Sequence, residues 1–160
     1  MALSDIYSQR GTITLAATGS TAVFSLYGTA AKRLWLVGVR VKVLQTGAVA
    51  GNDIAFTLAR PSATNTGTGL ASGGSNDFSA PASIGQIATA WSTAPVIGTF
   101  LAGYSLPQTS GSMWEEFPPG GAEWGVPAVA NANANAGVHL FAAATVATST
   151  PIEVDFVWSE

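Results

Sequence analysis

Two stretches of this chain change side-chain character at every second residue, and no stretch sustains a 3.6-residue apolar period with helix caps at both ends. Successive side chains of an extended strand point to opposite faces, so such a chain must bury its apolar rows between sheets. From Arg33 to Gln45, the residues Trp35, Val37, Val39, Val41 and Val43 fall on one face and Gly38, Arg40 and Lys42 on the other, while Leu34 to Val37 is apolar on both. From Ile152 to Trp158, the inward row is Ile152, Val154, Phe156 and Trp158, and Glu153 and Asp155 point outward. Pro151 stands at the first residue of that strand, where its missing N–H is tolerated. Further strands are predicted at Gly11 to Ala17, Thr21 to Tyr27, Asp53 to Ala59, Ile84 to Trp91, Val96 to Tyr104, Glu123 to Val129 and Val138 to Ala147. Eight or nine strands with turn signals at short spacing predict an all-β, antiparallel two-sheet sandwich, wound as a jelly roll.

A chain of 160 residues is expected to fold as one domain. Residues 11–160 would form it, behind an N-terminal arm at 1–10 that carries Ile6, Tyr7 and Arg10 and is expected to lie on a neighbouring subunit or on a shell that the subunits cover. Two segments are too long for hairpin loops. Residues 61–83 are dense in Gly, Ser, Thr and Asn, with Leu70 and Phe78 as apolar anchors. Residues 107–125 mix Met113, Trp114, Phe117 and Trp124 with Glu115, Glu116 and Glu123. Large aromatic side chains on a loop need a surface to bury against, which makes Met113, Trp114, Phe117 and Trp124 interface candidates beside Ile6, Tyr7 and Arg10.

Composition points the same way. Only 9% of residues are charged, against ~25% in ordinary soluble domains, while 48% are hydrophobic and no run is long enough to cross a membrane. Charge is what keeps the sheet edges and apolar patches of a free β-protein from joining its neighbours, so a chain this poor in it reads as an assembly subunit. Residues 1–60 hold six bases and two acids (+4), and residues 61–160 hold seven acids and no base (−7). Either copies dock positive on negative, or the strands interleave the two halves and cancel the asymmetry. An acidic balance argues against nucleic-acid binding, which needs a net basic face. Cysteine is absent, which excludes disulfides, Cys-ligated zinc and thiol catalysis. The first residues show no basic, apolar signal pattern, and synthesis in a host cytoplasm is expected.

Chemistry-bearing residues are few. His139 is the only histidine, lies in a strand pattern and has no G-x-S-x-G elbow to serve. Glu115, Glu116 and Glu123 lack any fixed spacing, and adjacent Glu115 and Glu116 point apart on an extended backbone. The glycine-rich GTGLASGG lacks the Walker lysine. Trp35 and Trp158 read as core, whereas Trp114 and Trp124 are open to stacking on a sugar or anchoring an interface. No catalytic residue, cofactor or metal ligand is expected.

The strand Leu34-Trp35-Leu36-Val37-Gly38-Val39-Arg40-Val41, the run Glu123-Trp124-Gly125-Val126-Pro127-Ala128, then Gly137-Val138-His139-Leu140-Phe141 and the final Asp155-Phe156-Val157-Trp158-Ser159-Glu160 resemble small structural proteins of tailed bacteriophages. Within that group the chain looks most like jelly-roll capsid decoration, or cement, proteins. The resemblance implies a non-enzymatic virion protein on the capsid surface. It further implies a homotrimer or similar cluster bound to the major capsid protein or another virion protein; neither nucleic acid nor membrane is expected as a partner. Tail or head-fibre components and glycan-binding β-sandwich modules are the alternatives.

Overall fold

The computed structural model describes residues 5–15, 19–29, 33–44, 53–75, 79–109, 111–116, 125–126, 131–133, 136–144 and 150–160. Among them the regular structure is strand throughout, with no helix. The long strands are β1 (Ile6–Leu15), β2 (Gly19–Tyr27), β3 (Leu34–Val43), β4 (Asp53–Pro61), β10 (Ile97–Pro107), β11 (Gly111–Glu116), β13 (Val138–Ala144) and β14 (Thr150–Ser159). Between them lie the short strands β5 (Thr66–Thr68), β6 (Ala71–Ser72), β7 (Gly74–Ser75), β8 (Gln86–Ala88), β9 (Ala90–Thr93) and β12 (Gly125–Val126).

Two antiparallel sheets pack as a sandwich. The front sheet has the order β11-β3-β14-β1-β7, with β12 also on β3, and the back sheet β10-β4-β13-β2-β8-β6. Among the long strands the pairing is nested: β1 with β14, β2 with β13, β3 with β11, β4 with β10. The apolar rows meet between the sheets, where Phe24 and Phe56 of the back sheet join Val39, Val154, Phe156 and Trp158 of the front one in one core. Each such side chain contributes roughly 1.5–3 kcal/mol by leaving water.

β14 follows its alternation throughout, with Ile152, Val154, Phe156 and Trp158 fully buried. β3 follows its own only from Val39 onward. Opposite β14 the register steps from Val157↔Gly38 to Trp158↔Leu36, leaving Val37 as a bulge residue. One extra residue inverts the phase of a strand. Leu34 and Leu36 therefore point into the core, and Trp35, expected there, turns to the outer face with the Arg33 guanidinium 5.7 Å from its ring centroid.

Several other expectations are corrected. Residues 6–10 form no detached arm: they continue the alternation of 11–15 as the first half of β1, and Tyr7 is buried in the chain's own core, stacked on Trp158 with its hydroxyl donating to the Pro81 carbonyl at 2.9 Å. Within 61–83 the described residues include strands of both sheets: β6 extends the back sheet and β7 the front one. Gly73 and Gly85 close over the Trp158 ring, where a Cβ at either would collide with indole atoms. Leu70 packs on a small satellite core of Tyr27, Ala88 and Ala136, and Phe78 lies outside the described residues. Within 107–125, residues 111–116 are the edge strand β11. The predicted strand at 84–91 divides into β8 and β9, which belong to different sheets, and of 123–129 only Gly125 and Val126 are described.

Candidate docking faces

The outer face of the front sheet is built in cross-strand rows. Arg10, Asp155, Arg40 and Trp114 lie side by side on β1, β14, β3 and β11. The next row is Thr12, Glu153, Lys42 and Ser112. Basic strands β1 and β3 thus flank acidic β14, so the two halves of the sequence interleave and their opposite charges meet within the fold. Arg10 reaches Glu153 at 3.7 Å and Asp155 at 3.6 Å. Burial pushes the Asp155 carboxyl above its ordinary value, Glu153 adds to this, and Arg10 and Arg40 pull it back.

Trp114 is 46% exposed, with its indole over Gly38, where a Cβ would come within 3.0 Å of the ring. Its N–H donates to Glu116 Oε1 at 2.8 Å. Glu115 points the other way, beside Tyr104 of β10; burial first, and then this carboxylate, push the Tyr104 phenol above its ordinary value. Met113 is half-buried against the core, and Ile6 is exposed at the start of β1. Of the predicted interface residues the structure therefore gathers Arg10 and Trp114 on one face, sets Ile6 at its margin, and turns Tyr7 and Met113 inward. Phe117 and Trp124 lie outside the described residues.

The outer face of the back sheet contrasts with this one. Its rows are Ala143, Ala55 and Ser105, then Phe141, Thr57 and Gly103, then His139, Ala59 and Phe100. Asp53, exposed at the end of β4, brings a charge to this surface and accepts a hydrogen bond from Ser105 Oγ. Phe100 is 63% exposed, and Val96 and Ile97 beside it are 56% and 41% exposed. Sequence reading placed a strand here without seeing this patch. Register shifts on both sides of Phe100 break the alternation that would have marked it.

His139 sits at the covered end of the back face, wholly buried with Ser25, Tyr27 and Asn65. Its Nε2 lies 2.9 Å from the Ala136 carbonyl, which assigns the proton to Nε2 and leaves Nδ1 to accept from Ser25 Oγ at 2.6 Å. Tyr27 donates to Asn65 Oδ1 at 2.7 Å and accepts from the Trp91 indole at 3.1 Å, tying the β5–β9 pair over the site. Burial drives the His139 pKa down to about 4. Burial likewise raises the Tyr27 phenol, offset in part by Trp91 and Ser25. The Ser25–His139 pair is closed to substrate, and its second nitrogen meets a backbone carbonyl where a triad has a carboxylate. Among the described residues no group of three or more His, Cys, Asp or Glu side chains is arranged to hold a metal ion.

Neither a family model nor a curated protein matches the chain.

Proposed function

We propose that the protein is a non-enzymatic structural subunit of a bacteriophage virion, a jelly-roll decoration protein that binds the outer shell and braces it, in company with copies of itself. The observation that carries an assembly role is the outer face of the back sheet, whose described strands bear little charge and leave Phe100, Val96 and Ile97 open to solvent at its edge. A protein that works alone gains nothing from such a surface, whereas an assembly subunit buries it. The nested strand pairing is the winding expected of a jelly roll and supports that part of the reading. The phage assignment rests on the sequence resemblance. Binding to the assembled shell would stabilise it by mass action. Purified protein added to undecorated capsids should raise their melting temperature and resistance to pressure; absence of binding together with unchanged shell stability refutes the role.

A second reading, a fibre or glycan-binding module, is favoured by Trp114 and by Trp35, both turned to the polar outer face of the front sheet. A glycan array that lights up with the parent protein and goes dark with Trp114→Ala would establish it.

A further inference from the structure

We infer that the β5–β9 pair is an acid-sensitive cover over His139, lifting as a unit from the back sheet while both large sheets stay folded. The topology makes such a motion local. β5 and β9 form a two-stranded sheet of their own, outside both large sheets. A two-stranded sheet is marginal without packing, so its seat on the sandwich holds it in place. That seat is the satellite core of Tyr27, Ala88 and Ala136, on which Leu70 and Trp91 pack, together with a few polar ties. Trp91 donates to the Tyr27 hydroxyl and Tyr27 donates to Asn65. Asn131 holds Gly67 of β5 by two hydrogen bonds, to its N–H at 3.0 Å and to its carbonyl at 2.9 Å.

His139 lies at the centre of those ties. The Ala136 carbonyl receives both its Nε2–H and, at 3.3 Å, Asn65 Nδ2, so ring and cover meet at one oxygen. The arrangement is complete only for the neutral ring. A proton added at Nδ1 makes both ring nitrogens donors, and Ser25 must turn its hydroxyl round to accept. The new charge finds no counter-ion. Tyr27 is the titratable group that faces the ring. β5, β8, β9, β10, the described residues at 131–136 and the remainder of β2 and β13 carry no charged side chain. On β4, Arg60 shares the inward phase of Leu58, and Asp53 stands at the far end, ~20 Å from Ala59 beside His139. A buried charge without a partner is relieved by water, and the smallest element that can admit water is the cover. Lifting it bares Tyr27 and His139 on the outer face that Phe100 already marks, two strands along the row His139, Ala59 and Phe100.

Native-state amide exchange of the full chain, read by NMR from about pH 7.5 to about pH 4.5 in urea below the unfolding transition, tests the cover directly. The Gly67 amide, held by Asn131, reports on the cover, and amides of β3 and β14 report on global unfolding. With His139 at a pKa of about 4 under the cover and near 6.5 in water, the opening constant at Gly67 should rise on the order of fiftyfold to a hundredfold across that window. It should be insensitive to urea, whereas exchange in β3 and β14 should be slower and should accelerate with urea. His139→Gln should abolish the acid dependence at Gly67. An opening constant that stays level with pH overturns the inference. So does exchange at Gly67 with the urea dependence of β14, which would make the acid response a global unfolding. Full acid dependence in His139→Gln also overturns it, since another group would then be the trigger. Should His139→Gln fail to fold, the urea dependence measured on the parent protein decides alone.

Discussion

The two outer faces of this sandwich use the same strand geometry to opposite ends. On the front sheet, Arg10, Asp155 and Arg40 stand in one row and Glu153 and Lys42 in the next, so neighbouring strands set opposite charges side by side within the chain. On the back sheet, Ala55, Thr57, Ala143 and Phe100 offer no such internal pairing. A charged ladder sets register and keeps a sheet solvated, whereas a row of small and aromatic groups leaves its apolar area to a neighbour. The charges of β1, β14 and β3 gather on one face, and the described strands of the other leave exposed apolar area beside little charge.

The largest effects should come from the layer that both faces share. Phe156→Ala, between outward Asp155 and half-exposed Val157 on β14, should cost ~3–5 kcal/mol of fold stability in urea titration. A loss below ~1 kcal/mol would mean that the inward row does not hold the sandwich.

Next is the buried histidine under the back sheet. His139 is held neutral with a folded pKa of about 4 against 6.5 when unfolded, so the unfolded state takes up the proton first. Its contribution is complete above pH 6.5 and is lost as pH falls towards 4, by about 3 kcal/mol in all. Urea midpoints measured across that window should fall steeply for the parent protein and much less for His139→Asn. Parallel curves would show that the histidine is charged in the fold.

The front ladder should respond more weakly. Reversing Arg40 and Lys42 to Glu should cost ~1–2 kcal/mol, recovered in part by Glu153→Lys with Asp155→Lys, because exposed cross-strand pairs contribute ~0.2–1 kcal/mol each. A double reversal that folds normally but no longer assembles would make the front face the interface and undo the comparison.

Smallest is the carboxylate that ties down residues 83–85. Glu160 accepts from Ser83 Oγ at 2.6 Å, from the N–H groups of Ile84 and Gly85 at 3.0 Å each, and from the Trp158 indole at 3.1 Å. Burial works against its ionised form, but these hydrogen bonds outweigh it and hold the pKa below 4.5. The stabilisation is present above pH 4.5 and is lost as pH falls through the lower folded value. Glu160→Gln should flatten that acid limb and speed amide exchange at Ile84 and Gly85; unchanged exchange there would mean that the carboxylate holds nothing.

How much of this was legible depended on whether a feature lived on one strand or between two. The inward row of β14 and the outward placing of Arg40 and Lys42 follow from period alone, and both were read correctly. Trp35 was misplaced because the bulge at Val37 exists only in the register with β14, which no single-strand pattern carries. The first half of β1 was missed because Tyr7, Gln9 and Gly11 make a weak apolar row, although Tyr7 sits beneath Trp158. Phe100 escaped for the same reason as Trp35, with two shifts in place of one. The partners of His139 come from β2 and from the turn before β13, and Ser25 is 114 residues distant in sequence. No local motif announces such a contact.

Hydroxyl-radical footprinting of the full chain, at concentrations below and above self-association, sets the two faces against each other in one experiment. The account predicts that Phe100 becomes protected as copies associate, while Trp114 on the front face stays as reactive as in dilute protein. Protection of Trp114 with Phe100 still fully reactive would contradict it.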